Sequence, residues 1–265
     1  MKKRTSLLRL IVLYFKINLA SAMEYRGSFF LQAFGTAVSN ATFVFFWWVA
    51  FRQRGGTIGG YGFNEVMFIW AVCSSAFGFA NIFFGNLQQI TRIIVSGELD
   101  TYLLQPKNVL VSLLCARTNL SAWGDLIYGF VLLALTRKAD FTAWCVFVAA
   151  IIIGGFLIVA IAVTAHTFTF YLGDASLVGG LALEFVINFC IYPEGIYRGF
   201  VRALMYTAIP AAFIVHVPLR LAANFNPAWF VLLLAAAVLY CCFAWHFFFR
   251  GLKKYESGNL MITRL

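Results

Sequence analysis

Residues 85–108 read GNLQQITRIIVSGELDTYLLQPKN, a polar segment within an otherwise apolar chain. Charged and amide side chains alternate there with isoleucines at helical spacing, Ile90, Ile93 and Ile94. Gly97 is a natural helix stop, and Pro106 interrupts any helix that would continue toward residue 109. The segment is too polar to cross a bilayer. The pattern therefore predicts a short helix outside the membrane, between two apolar segments.

The composition of the whole chain indicates a membrane protein. Of its 265 residues 62% are hydrophobic and 11% are charged, whereas soluble domains carry about 25% charged residues. This deficit of charge favours a protein with several membrane spans. The net charge is +10, but the basic residues lie in short loops and at the termini. They indicate orientation in a membrane, and no nucleic-acid partner is expected.

Six apolar segments have the length needed to cross a bilayer as helices. The predicted spans are residues 28–51, 63–84, 109–135, 141–171, 175–192 and 227–249. Residues 1–26 are basic and amphipathic, and we predict a helix lying on the membrane surface. The alternative is that residues 1–26 belong to a long first span. The fold class expected is an all-α integral membrane protein, a single domain over residues 1–265.

Residues 193–226 do not fit one clean span, because after Pro193 they contain three arginines and two more prolines in an apolar context. Two short re-entrant or surface helices, residues 195–207 and 211–223, fit better. Six spans place both termini on one side. With that side in the cytoplasm, twelve basic residues lie inside and seven outside, as the positive-inside rule favours.

This orientation puts residues 85–108 in the cytoplasm, where we predict a docking surface for a soluble partner. Its apolar side chains would enter a groove, and its polar rim would set the register. The alternative is a structural loop helix that contacts only lipid headgroups. The predicted contact residues are Ile90, Arg92, Ile93, Ile94, Gly97, Glu98, Asp100, Leu103 and Pro106.

Polar side chains within the predicted spans form a second group of candidates, since such residues are costly in a bilayer. Arg117, Asn119 and Asp125 lie in the predicted third span, with Arg117 and Asp125 on one broad helical face. Glu184 and Asn188 are four residues apart in the fifth span. These residues either pair within the membrane or line a substrate path. The second possibility leaves open a stand-alone secondary transporter or channel.

The sequence lacks the motifs that are typical of several enzymatic activities. The chain has no G-x-x-x-x-G-K-[ST] phosphate loop and no H-E-x-x-H or G-x-S-x-G motif. Its six cysteines lack metal-binding spacing, and His166, His216 and His246 are isolated. We therefore expect no catalytic residue, no metal site and no cofactor in this chain, and no enzymatic activity.

Three blocks of sequence resemble one known family. Residues 96–106, SGELDTYLLQP, resemble the G-x-x-D-x-x-L-x-x-P block of type-2 ABC exporter permeases with about 260 residues and six spans. Residues 209–218, IPAAFIVHVP, are similar to a segment before the last span of that subgroup, and residues 251–259, GLKKYESGN, resemble its tail. At Gln105 the chain departs from the family, where arginine is frequent before the proline.

The resemblance implies a permease subunit that moves substrate by alternating access. It implies an amphipathic connecting helix at residues 1–26, a coupling helix within residues 85–108 and external re-entrant helices within residues 193–226. It also implies a separate ATPase dimer that binds ATP and Mg²⁺, and a second permease chain, commonly a related but different subunit. Surrounding lipids and the cytoplasmic membrane of a bacterium are implied as well. The resemblance names no substrate.

Overall fold

The structure, a computed structural model, describes residues 6–136 and 140–256, with the side chain of Arg54 outside that description. Residues 137–139, between the predicted third and fourth spans, and the end of the tail block, residues 257–259, lie outside the described residues. Within them the fold is helical, with an isolated bridge between Ile58 and Tyr61 as the only β feature. This agrees with the expected all-α class.

Residues 6–136 contain seven α-helices. They are α1 (Leu7–Glu24), α2 (Arg26–Arg54), α3 (Phe63–Phe83), α4 (Ile90–Val95), α5 (Leu99–Leu103), α6 (Val109–Cys115) and α7 (Ala122–Leu135), with a 3₁₀ turn at Leu87–Gln89. Tyr25, with φ −111° and ψ 59°, separates α1 from α2. The N-terminal segment is therefore not one helix with the first predicted span, while its position on a membrane surface stays a prediction.

The second half contains the remaining helices. They are α8 (Phe141–Thr167), α9 (Thr169–Leu172), α10 (Ser176–Ile191), α11 (Gly199–Tyr206), α12 (Val217–Ala223) and α13 (Pro227–Leu252), with a 3₁₀ turn at Glu194–Ile196 and a π turn at Ala212–His216. Two short helical pieces thus occur where residues 195–207 and 211–223 were predicted to form them. Their re-entrant position remains a prediction.

The core of the molecule forms around α3 and α8. These helices are mostly buried and pack against each other, α3 also against α7, and α8 also against α10 and α13. By contrast, α2 and α13 are largely exposed and apolar, as helices that face lipid are. The sequence predicted which segments are apolar, and the packing shows which of them are internal.

Glycines bring α3 and α7 into close contact. A Cβ atom at Gly78 of α3 would lie 2.7 Å from the backbone nitrogen of Leu126 and 2.8 Å from the carbonyl oxygen of Ala122. Gly129 of α7 faces Ala71 and Ser75 of α3 just as closely. Small residues at such crossings let helix backbones approach each other. This pair of helices therefore depends on the absence of side chains at both positions.

Among the described residues, four helical segments are long and apolar enough to cross a membrane. They are Arg26–Gln53, Phe63–Phe83, Phe141–Leu172 and Pro227–Leu252. The predicted fifth span corresponds to α10, which has 16 residues. The predicted third span is not one helix, because α6 ends at Cys115 and α7 begins at Ala122. The prediction of a continuous helix over residues 109–135 was therefore wrong.

The break between α6 and α7 has a local cause and a tertiary cause. Asn119 Oδ1 accepts hydrogen bonds from the backbone N–H and the hydroxyl of Ser121, which stabilises a turn. The end of α3 supplies further partners: Thr118 donates to the carbonyl of Ile82 at 2.9 Å, and the Gly85 N–H donates to the Arg117 carbonyl at 3.1 Å. Backbone groups that leave the helix are thus paired with another element.

Candidate functional site

The segment between α3 and α6 contains two short helices joined at a glycine. Helix α4 ends at Val95, and Gly97 follows with φ 77°, a left-handed conformation that glycine adopts without steric cost. Helix α5 then runs to Leu103. We call residues 85–108 the coupling segment, after the role that the family resemblance predicts for them, and they connect the end of α3 to the start of α6.

The isoleucines of the coupling segment face the interior of the chain. Ile90, Ile93 and Ile94 are 0%, 2% and 3% exposed, and Leu99 is also buried. This burial does not fit the prediction that the three isoleucines enter a groove on a partner. Their apolar face is already packed within this chain, and replacing them would disturb folding before it disturbed docking.

The outer face of the coupling segment is polar with one prominent apolar side chain. Arg92 and Glu98 form an ion pair with an N–O distance of 2.6 Å, and both are about half exposed. Leu104 is 87% exposed, and Leu103 and Pro106 are also exposed. Leu104 was not among the predicted contact residues, because helical spacing alone does not show which leucine points outward.

A buried group of polar side chains attaches the inner face of α4 to the core. The Thr91 hydroxyl lies 2.8 Å from His166 Nδ1 and 2.8 Å from the Thr169 hydroxyl. All three side chains are buried. The His166 ring also packs directly against Gly179 of α10, where a Cβ atom would collide with it. This group, absent from the sequence predictions, connects α4 with α8, α9 and α10.

The coupling segment lies at the same end of the molecule as both ends of the described chain. Ser6, Lys107 and Phe249 line one cavity. Tyr255 lies beside α5, and burial together with the Asp100 carboxylate raises the pKa of Tyr255 to about 12. These contacts place the start of α1, the coupling segment and the end of α13 together, as expected for elements on one side of a membrane.

The polar residues of the predicted third span do not form the arrangement expected from one continuous helix. Arg117 is exposed in the break, and Asn119 stabilises the turn there. Asp125 accepts a 2.6 Å hydrogen bond from Asn40 of α2. Within the described part of the chain, Arg117 and Asp125 form no ion pair. The shared helical face predicted for them is absent because the helix is interrupted between them.

Glu184 and Asn188 lie together on an exposed face of α10. The Asn188 amide donates to the Glu184 backbone carbonyl at 2.9 Å, and both residues are exposed beside Leu181 and Phe185. A carboxylate on an exposed apolar helix is costly in contact with lipid. This face therefore suits a protein neighbour or a hydrated path.

An unpredicted ionic cluster forms between α10 and α12. Glu194 is 3% exposed and accepts hydrogen bonds from Arg202 at 2.9 Å, Tyr206 at 2.8 Å and Arg220 at 2.6 Å. Burial by itself would raise the pKa of the Glu194 carboxyl, but the Tyr206 hydrogen bond, the Arg220 charge and the Arg202 hydrogen bond lower it below its ordinary value. A single glutamate among three arginines was the sequence signal for this cluster.

The described residues offer no obvious metal centre: no group of three His, Cys, Asp or Glu side chains is placed to hold a metal ion there. The structure provides a bundle of apolar helices with the coupling segment at one end. One face of this segment is packed against the bundle and the other is exposed.

These features define a multi-pass, all-helical membrane protein. Residues 38–258 match the family described as "ABC-2 family transporter protein", so the chain belongs to that family and is a transporter permease of the ABC-2 type. The family places it in the context of ABC transporters, among permeases rather than enzymes. No curated protein and no solved structure matched the chain.

Proposed function

We propose that this chain is the permease subunit of an ABC exporter, driven by a separate ATPase dimer that binds ATP and Mg²⁺. It crosses a bacterial cytoplasmic membrane six times, with both termini in the cytoplasm. In this arrangement α6 with α7, and α10, supply the third and fifth spans. A second permease chain, related to this one or identical to it, completes the transport path.

The observation that carries this proposal is the two-faced coupling segment. Its inner face is fixed to the core by the buried isoleucines and by Thr91, and its outer face presents Arg92, Glu98 and Leu104. An exposed leucine on a polar surface is a suitable anchor for an apolar groove on a partner. A segment that is rigidly attached on one side and free on the other can transmit displacement.

The path of that displacement follows from the Thr91 group. A displacement of α4 is transmitted to α8 and α9 through the hydrogen bonds of Thr91, and to α10 through the contact of the His166 ring with Gly179. Alternating access then consists of rocking of these helices against those of the second permease chain. The exposed Glu184 and Asn188 face of α10 lies on the proposed path or on the interface between permease chains.

A stand-alone secondary transporter was the alternative hypothesis, based on Arg117, Asp125 and Glu184. It loses support because Arg117 lies in an exposed break and Asp125 binds Asn40. A proton or ion relay requires titratable groups in sequence along one path. The described residues do not bring these three side chains together as a relay.

Replacing Leu104 with aspartate tests the docking role. We expect at least about a tenfold loss of ATPase retained during purification of the complex, because losing a buried apolar anchor at an interface costs about 2 kcal/mol or more. The measurement is the ratio of ATPase to permease after affinity purification through the permease. Since Leu104 is 87% exposed, the fold of the permease itself is expected to be unchanged.

The matched control is Phe200→Asp, which changes another highly exposed apolar residue, 77% exposed on α11. This residue lies outside the coupling segment and should leave ATPase retention unchanged. Equal retention of the ATPase by the Leu104→Asp and wild-type permeases would contradict the docking role of this surface.

Replacing Thr91 with valine tests transmission through the membrane domain. Valine preserves the shape of the side chain but removes the hydroxyl that bonds His166 and Thr169, whereas serine retains it. We expect the valine variant to keep its ATPase and to lose the nucleotide-dependent change in labelling of a cysteine introduced at exposed Thr207, in a background with Cys145 and Cys242 replaced by serine. The serine variant should behave as the wild type.

The two measurements distinguish a loss of coupled movement from a loss of stability. A variant that retains its ATPase during purification is still a folded complex, so a change in its cysteine labelling reports movement. A valine variant whose Thr207 cysteine still responds to ATP and vanadate as the wild type does would show that α4 moves the core by another route.

A further inference from the structure

Two adjoining cavities lie at the end of the molecule that contains the start of α1 and the end of α13. The larger, of about 880 Å³, is lined by Ser6 and by residues 105–109, among others. The smaller, of about 230 Å³, lies between α1, α6, α8 and α13. Leu7 and Trp245 line both, so the two cavities are adjacent and share one wall.

The smaller cavity is an apolar slot. Apart from the Cys241 thiol and the Trp245 indole, its lining side chains are hydrocarbon, including Phe84, Leu114 and Ala160. Water in such a slot would lack the two to four polar partners that hold buried water. An alkyl chain, by contrast, needs no polar partner and can make dispersion contacts with this lining. The chemistry of the slot therefore favours an apolar occupant.

The larger cavity combines apolar side chains with the polar residues Ser6, Gln105 and Asn108, and the charged side chain in its described lining is the cation Lys107. Lys107 is exposed at its edge, with its ammonium group 5.5 Å from the Tyr14 ring centroid. Helix α1 begins there after its N-cap Ser6, whose hydroxyl accepts a hydrogen bond from the Arg9 N–H, and no acidic residue lies in its first turn to offset the positive end of its dipole. None of the described residues lining this cavity is acidic. The first acidic residue of the chain is Glu24.

We propose that the two cavities together hold one anionic phospholipid, with an acyl chain in the apolar slot and the phosphate between Lys107 and the first turn of α1. Trp245, 39% exposed, lies where the cavities meet, and its indole suits the boundary between hydrocarbon and headgroups. The larger cavity, with Lys107, suits the phosphate headgroup of this ligand, and the apolar slot suits its acyl chain.

This site goes beyond the proposed transport function and does not depend on the ATPase. The lipid would contact α1, α6 and α13 as well as residues 105–108 at the end of the coupling segment. A bound lipid therefore fills the space between the amphipathic N-terminal helix and the segment proposed to receive mechanical work.

The test measures lipid retention by the full chain alone. The protein is purified in a mild detergent and incubated with mixed micelles of phosphatidylglycerol or phosphatidylcholine, and retained lipid is counted by native mass spectrometry. We expect selective retention of phosphatidylglycerol. Lys107→Ala should reduce that retention about fivefold, and Lys107→Arg should preserve it. Lys253→Ala, which removes an exposed cation beyond the cavity, should change nothing.

The apolar slot is tested separately with Ala244→Leu, which adds volume inside it, against Ala235→Leu on the exposed side of the same helix. Only the first should reduce retention of both lipids. The proposal is overturned if the two lipids are retained equally by the wild type, or if Lys107→Ala matches Lys253→Ala. It is also overturned if inorganic phosphate displaces the phosphatidylglycerol, since that result would define a site for a small anion.

Discussion

Leucine in place of Gly129 should remove nearly all folded protein from the membrane fraction. A side chain at this position would collide with the Ala71 carbonyl oxygen and with the Ser75 side chain of α3. The carbonyl is backbone and cannot rotate away, and the Ser75 hydroxyl is held by the Leu126 carbonyl at 3.1 Å. Overpacking typically costs about 1–3 kcal/mol. Because the collision here is with backbone that cannot move aside, we expect an exceptional destabilisation of more than about 4 kcal/mol.

The measurement for Gly129→Leu is the yield of monodisperse protein in mild detergent, followed by its thermal unfolding. The control is Gly180→Leu in α10, where a Cβ atom would meet no atom within 4 Å. Both changes replace a helical glycine with leucine, so helix propensity affects them equally. Equal yields of the two variants would contradict the close crossing of α3 and α7.

Alanine in place of Glu194 is expected to have the second largest effect, because three hydrogen bonds converge on this buried carboxylate. Hydrogen bonds to charged groups contribute about 1.5–3 kcal/mol each. The side chains of Arg202 and Arg220 are 53% and 39% exposed, so water replaces part of the hydrogen bonding that they lose with Glu194. We expect a net loss of about 2–3 kcal/mol, measured as reduced thermal stability in detergent.

The same cluster predicts a pH dependence. Because the pKa of Glu194 is lowered in the folded protein, its ionised form stabilises the fold above the unfolded pKa of about 4.3. This contribution should disappear as pH falls from that value through the lowered folded pKa. The Glu194→Ala variant should lack this component, while Glu24→Ala, at an exposed residue, should retain it. Identical acid unfolding profiles of Glu194→Ala and the wild type would argue against the cluster.

Much of the architecture could be predicted from the order of apolar and polar segments. Helices α2, α3, α8 and α13 occur where long apolar stretches were found, and two helices interrupt the polar segment before Val109. Length and hydropathy determine these features locally, because a stretch that cannot pair its backbone with water must form a helix in lipid.

The site was less predictable, since periodicity shows that a helix has an apolar face but not what covers it. The face of Ile90, Ile93 and Ile94 was assigned to a partner, yet it packs within the chain. The break at residues 116–121 depends on hydrogen bonds to α3, more than thirty residues away in sequence. Neither Thr91 nor Glu194 could be assigned a role before its distant partners were known.

The sequence by itself determined that this chain is a membrane protein, that its fold is helical and that a polar segment connects two of its apolar helices. These properties follow from local polarity and from backbone hydrogen bonding in lipid. Only the tertiary structure decided which face of α4 is free, how Asp125 is paired and which cavities lie between the helices. Each of those outcomes depends on contacts between residues distant in the chain, and their energies are set by packing rather than by composition.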